Sequence, residues 1–259
     1  MKQNGVESTE LPNAIVGDLD SISLDTRKHY EGLNVTVIED PDQYSTDFTK
    51  CLRYLKANIQ SVLSVSCSTS PRFTGTHQTH SHDGEPCLDV LVLGGLGGRV
   101  DQAFSQIHHL YSASLSPASA ADRPTGGLYL ISEESITFLL HEGENTILTP
   151  GGSLLDAQPR RESAPGSKVH GCSDEETLVS STVQQCYLSE NVGIIPVGGP
   201  SVINTKGFEW DVHDWKTEFG GQVSTSNHIR ADMVEVITTK PVLFTVELAN
   251  WLKFAGKRV

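Results

Sequence analysis

The sequence predicts an α/β amino-terminal domain built on a parallel sheet, followed by an all-β antiparallel sandwich. Two observations carry this. Up to about residue 126, short apolar runs of strand length alternate with a turn and then a helix-period pattern, as in a layered α/β fold. Beyond Gly127 the apolar runs are shorter, closely spaced and separated by turn formers, which is the pattern of an antiparallel sandwich. The boundary is placed at Gly126-Gly127, giving domains 1–126 and 127–259.

In the first domain Asn13–Gly17 and Asn34–Ile38 are short strands. Phe48, Cys51, Leu52, Leu55 and Ile59 recur at helical spacing, so Thr46 to about Gln60 is an amphipathic helix, capped by Ser45 or Thr46. Leu88–Leu93 is apolar enough for a buried parallel strand. It runs into Gly94-Gly95-Leu96-Gly97-Gly98, and a helix follows near Asp101. In the second domain strands are expected at Leu128–Ile131, Ile136–Leu140, Thr146–Leu148, Gly193–Val197, Val202–Asn204, Glu209–Val212 and Gln222–Thr225. Met233–Thr238 and Val242–Leu248 read as a hairpin around Lys240-Pro241. Three stretches without periodicity, 66–86, 112–127 and 158–182, read as surface insertions; His77, His80 and His82 belong to the first and are read as a loop rather than a metal site.

Composition narrows the function. Hydrophobic residues make up 37% of 259 residues, which suits a globular chain, and no apolar run reaches the roughly 18 residues that span a bilayer. A net charge of −13 argues against a nucleic-acid surface, and it means that a phosphate ligand arrives with a metal. Cys51, Cys67, Cys87, Cys172 and Cys186 form no CxxC pair, so a reduced, cytoplasmic set of thiols is expected.

Four clusters carry chemistry. Asp18 and Asp20 follow a strand two residues apart; if extended they share a face, and paired carboxylates suit a hard cation such as Mg²⁺. An exposed acidic turn is the plain alternative. Asp47 opens a helix, where the dipole alone favours a carboxylate, or it adds a metal ligand with Lys50 one turn on to meet phosphate. Four glycines in five residues let backbone N–H groups approach an anion, with Arg99 available to grip phosphate and Asp101 to hold a metal or a substrate hydroxyl; a tight turn is the alternative. Trp210 is able to stack on a flat cationic ring, with Ser226 and Asn227 reading ring nitrogens, or it is a core tryptophan beside a polar turn.

Together IVGDLDSI (15–22), DQYSTDFTKCL (42–52), LGGLGGRVDQ (93–102), GIIPVGGPSVINTKGFEWDV (193–212) and QVSTSNHI (222–229) resemble the eukaryotic, fungal-like thiamine pyrophosphokinase family. The resemblance implies a homodimer that transfers pyrophosphate from MgATP to thiamine, leaving AMP. It implies that Asp18, Asp20 and Asp47 hold Mg²⁺ and that Arg99 and Asp101 act in the same catalytic region. Gln43, Thr46, Lys50, Gly95, Gly97, Gly98 and Gln102 then line the ATP site, and Trp210, Ser224, Thr225, Ser226 and Asn227 the thiamine site. The family carries an upstream strand and an Ala-Asp-Gly-Gly-Ala-Asn segment before its GDxDS motif, and Met1–Pro12 holds no match to it. The expectation is therefore an amino-terminally incomplete ATP domain. Its alternative is a catalytically inactive thiamine-binding or dimerising remnant.

Overall fold

A computed structural model describes residues 11–61, 88–115, 125–151 and 186–253. Two compact units divide the chain, Met1–Leu88 with Ala118–Gly126 and Asp89–Pro117 with Gly127–Val259. The segment 89–117, which the sequence expectation assigns to the first domain, thus lies in the second unit. The three expected insertions fall largely or wholly outside the described residues, as do His77, His80, His82, Cys67, Cys87 and Cys172.

In the first unit, β1 (Ala14–Gly17) pairs in parallel with β2 (Thr36–Glu39), Ala14 opposite Thr36 and Gly17 opposite Glu39. Parallel neighbours need a crossover, and α1 (Leu24–Gly32) supplies it. The sequence pattern gave no sign of α1 because it buries no residue and has no apolar stripe. Its local supports are the Ser23 cap, whose hydroxyl accepts from the Thr26 N–H at 3.1 Å, and the Arg27–Glu31 pair one turn apart. The second helix, α2 (Asp47–Ala57), starts at Thr46, whose hydroxyl accepts from the Thr49 N–H at 3.2 Å.

In the second unit two sheets carry the fold. One has six strands in the order β10-β7-β12-β5-β4-β3; the other has four in the order β6-β11-β8-β9. Their ranges are β3 Leu88–Leu93, β4 Thr125–Ile131, β5 Ser135–Leu140, β6 Gly143–Leu148, β7 Leu188–Ile195, β8 Ser201–Lys206, β9 Trp215–Thr217, β10 Ser224–His228, β11 Met233–Thr238 and β12 Val242–Leu248. The pairs β12/β5, β12/β7, β11/β6 and β11/β8 are all antiparallel. Leu140, Val192, Ile194, Ile203, Phe208, Val236, Phe244 and Val246 belong to one buried cluster that draws on both sheets. Along β12, Val242, Phe244 and Val246 enter that cluster. Leu243 points the other way, to Leu110 of α3 (Val100–Leu115) and to Leu130. β12 is therefore buried on both faces.

Three expectations change here. β11 and β12 are not a hairpin: β11 belongs to the four-stranded sheet and β12 to the six-stranded one, so the chain changes sheets at Lys240-Pro241. Glu209–Val212 is not a strand, because the Asp211 carboxylate takes the N–H groups of Gly207 and Phe208 and the Thr205 hydroxyl, which folds the segment into a turn. β3 is not a buried strand; it ends the order of its sheet, and Leu91 and Leu93 are exposed.

Candidate active site

In the first unit the chemistry gathers where β1 ends. Gly17 is the last residue of β1, and a Cβ built there would lie 3.0 Å from Asp47 Oδ1. The missing side chain is what lets the first turn of α2 come close. The Asp18 N–H then donates to Asp47 Oδ1 at 3.0 Å. Asp18 and Asp20 are not on one extended face: Leu19 has φ 61°, and the Asp20 N–H donates to Asp18 Oδ1 at 3.2 Å. An aspartate that can hydrogen-bond the backbone two residues on prefers such a turn to a strand.

Lys50 projects inward from α2 with 1% of its surface exposed, and its Nζ lies 3.2 Å from Asp47 Oδ1 and 3.4 Å from Asp18 Oδ2. Its four-carbon stem fills the inner face of the helix while the ammonium meets two acids. The Asp20 backbone N–H, with Lys50 behind it, holds the Asp18 carboxyl below the usual carboxylate range. Burial works against the Lys50 charge, but Asp47 and Asp18 outweigh it and hold its pKa above the ordinary lysine value. The sequence aims Lys50 at a phosphate; the fold gives its ammonium to these carboxylates. The Thr46 hydroxyl caps α2, and Gln43 is exposed on the preceding loop.

Among the described residues no group of three His, Cys, Asp or Glu side chains is gathered closely enough to hold a metal by itself. Oxygen-only donors at a strand end still match Mg²⁺ chemistry, because that ion takes one or two carboxylates and completes its shell with water and phosphate oxygens.

In the second unit the glycine loop leaves β3 with the Gly94 N–H on the Ile131 carbonyl at 2.8 Å. Gly94 and Gly98 have φ of 79° and 76°, which side chains rarely tolerate, and Cβ atoms at Gly94, Gly97 or Gly98 would meet only open space. The loop therefore presents bare backbone to solvent at the start of α3. Both nitrogens of the Arg99 fork bind Asp101, Nε to Oδ1 at 3.1 Å and Nη2 to Oδ2 at 2.5 Å, while both side chains stay exposed. Arg99 holds the Asp101 carboxyl below the usual range. Gln102 is exposed beside them. Sequence inspection missed Gln106, whose Oε1 is the only buried side-chain polar atom without a partner among the described residues; its side chain packs beside Gly95. Nothing in the sequence sets that glutamine apart from a surface one.

The third cluster lies at β10. Trp210 is 55% exposed and is not a core residue. The Asn227 side chain is buried and grips the Trp210 main chain twice: Oδ1 accepts from the Trp210 N–H at 3.2 Å, and Nδ2 donates to the Trp210 carbonyl at 2.9 Å. Ser226 has φ 59° where the β10/β7 register slips, and Thr225 and Ser226 are exposed while Ser224 is half-buried. The His228 ring stands 5.1 Å from the Trp210 ring, a neighbour the sequence did not single out.

The described residues thus offer two chemically distinct features: carboxylates at a strand end in a parallel α/β unit, and an exposed tryptophan in a unit of largely antiparallel sheets. Comparison with known proteins makes this specific. The profile of the "Thiamin pyrophosphokinase, catalytic domain" matches residues 3–119, and that of the "Thiamin pyrophosphokinase, vitamin B1 binding domain" matches residues 180–243. The chain belongs to the thiamine pyrophosphokinase family. It is 28% identical to thiamine pyrophosphokinase of Saccharomyces cerevisiae over 92% of its own length and 69% of that protein, and 24% identical to thiamin pyrophosphokinase 1 of Caenorhabditis elegans over 94% and 73%. The solved yeast thiamin pyrophosphokinase superposes with TM-score 0.67 at 25% identity, covering 94% of this chain and 72% of the other. The Candida albicans enzyme superposes with TM-score 0.65 at 24% identity, over 93% and 75%, a likeness of fold.

Proposed function

We propose that the protein transfers the pyrophosphate group of ATP to the hydroxyl of thiamine, giving thiamine diphosphate and AMP. The observation that carries this is the pair of family profiles in order along one chain, one on each half. The thiamine hydroxyl oxygen forms a bond to the β-phosphorus, the bond from that phosphorus to the α–β bridging oxygen breaks, and AMP leaves with the electron pair. The hydroxyl proton goes to a carboxylate. Asp101, held by the Arg99 fork, and Asp47, which accepts from Lys50 and from the Asp18 N–H, are the two carboxylates proposed for that role.

Asp18, Asp20 and Asp47 are the residues that would hold Mg²⁺, which supplies charge neutralisation at the phosphates of an acidic protein. In the second unit phosphate contacts are assigned to Gly95, Gly97, Gly98, Arg99 and Gln102, of which Gly97 and Gly98 present open backbone; in the first they are assigned to Gln43 and Thr46, with Lys50 acting through Asp18 and Asp47. Trp210 offers its exposed ring to the thiamine cation, with Ser224, Thr225 and Ser226 beside it, and Asn227 supports Trp210 from behind. A cytoplasmic homodimer completes the reading. The test is AMP release that depends on both thiamine and Mg²⁺. ADP release, or no thiamine dependence, would overturn it.

A further inference from the structure

Trp210 is a large aromatic left more than half exposed, yet it is held on two sides. Its main chain is fixed by Asn227, and the Glu209 N–H ahead of it donates to the His228 carbonyl at 2.8 Å. One side of its ring is occupied by the His228 imidazole, 5.1 Å away and tilted by 41°. That imidazole is itself locked. Its Nδ1 donates to Glu209 Oε2 at 2.6 Å, Glu209 also binds Arg230 Nη2, and Arg230 Nη1 donates to Glu190 Oε2 on β7 at 2.6 Å. The chain Glu190, Arg230, Glu209, His228 ends on the indole.

We propose that His228 is a positioning residue that pre-orients Trp210 for a flat cationic ring, with the Glu209–Arg230–Glu190 ion pairs as its brace. This rests on the thiamine reading of Trp210 given above. A ring already held in its bound orientation costs less ordering on binding than a free one, so the brace acts on affinity rather than on the chemical step.

The test uses the full chain labelled with 5-fluorotryptophan, whose three tryptophans give three fluorine resonances; Trp210→Phe identifies the one that matters. In His228→Ala that resonance moves toward the free-tryptophan position and sharpens, thiamine binds about fivefold more weakly by calorimetry, and KM rises while kcat holds. His228→Phe, which keeps a ring but loses the hydrogen bond to Glu209, restores these in part; His228→Gln, which keeps only a hydrogen-bonding partner for Glu209, does not. An unmoved Trp210 resonance in His228→Ala overturns the inference, as does rescue by Gln but not by Phe. If Trp210→Ala binds thiamine like the parent, the thiamine reading of this platform fails instead, and the fluorine spectra still decide whether His228 holds the ring.

Discussion

The Lys50 ammonium stands 3.4 Å from the Asp18 carboxylate with its side chain wholly out of solvent, although the two are 32 residues apart in sequence. The contact ties α2 to the end of β1 and sets the position of the proposed catalytic acids. Two carboxylates this close would repel each other without the cation between them.

Lys50→Met is therefore expected to lower the melting temperature, since it leaves Asp18 and Asp47 without their shared partner while keeping the apolar stem. Adding Asp18→Asn should return part of the loss. Thermal melts followed by circular dichroism check both, and identical melts for Lys50→Met and the parent would show that the pair contributes nothing.

Gly17→Ala places a methyl carbon 3.0 Å from Asp47 Oδ1. The carboxylate must move, so activity should fall by about tenfold or more while the far-ultraviolet spectrum stays native, because small displacements of reacting groups carry large rate penalties. Parent-like turnover would mean that Asp47 tolerates displacement.

Asp20 is exposed, and its backbone N–H donates to Asp18 Oδ1. Asp20→Ala should leave stability almost unchanged and reduce turnover at saturating Mg²⁺ by about 100-fold, close to 3 kcal/mol of transition-state stabilisation. Normal turnover would remove Asp20 from the proposed metal set.

Glu209 sets an acid limit on the sandwich. The hydrogen bond from His228, helped by Arg230, holds its carboxyl below the ordinary 4.5. A carboxyl with a depressed folded pKa binds protons more readily in the unfolded chain. Its stabilisation is complete above about pH 4.5 and disappears as pH falls through the lower folded value. Glu209→Gln should flatten the stability profile in that acid range, as measured by denaturant melts across pH.

Phe244 lies fully buried between Phe138, at 5.3 Å, and Phe208, at 6.4 Å. Phe244→Ala should cost about 3–5 kcal/mol in urea unfolding, and Phe244→Leu clearly less, because the cavity left is smaller. Equal losses would place Phe244 outside the packed centre.

The class of fold, the helix over α2, most strands of the sandwich and the family were legible in the chain itself. Each depends on local periodicity or on short motifs whose residues are neighbours in sequence. The spacing of Phe48, Leu52 and Leu55 says which face of α2 turns inward before any partner is known. The same holds for Gly94–Gly98, since a glycine-dense turn announces unusual backbone wherever it stands.

What the tertiary structure alone decided is who meets whom. No local pattern says that Lys50 turns inward to Asp18, that Asn227 holds a main chain rather than facing solvent, or that β11 and β12 part into different sheets. Nor does any say that His228 braces Trp210. For Lys50 and Asn227 the physical reason is the same. Burial removes water as a partner, so a buried polar group must find another within the fold, and that partner is fixed by packing at distances in sequence over which periodicity carries no information.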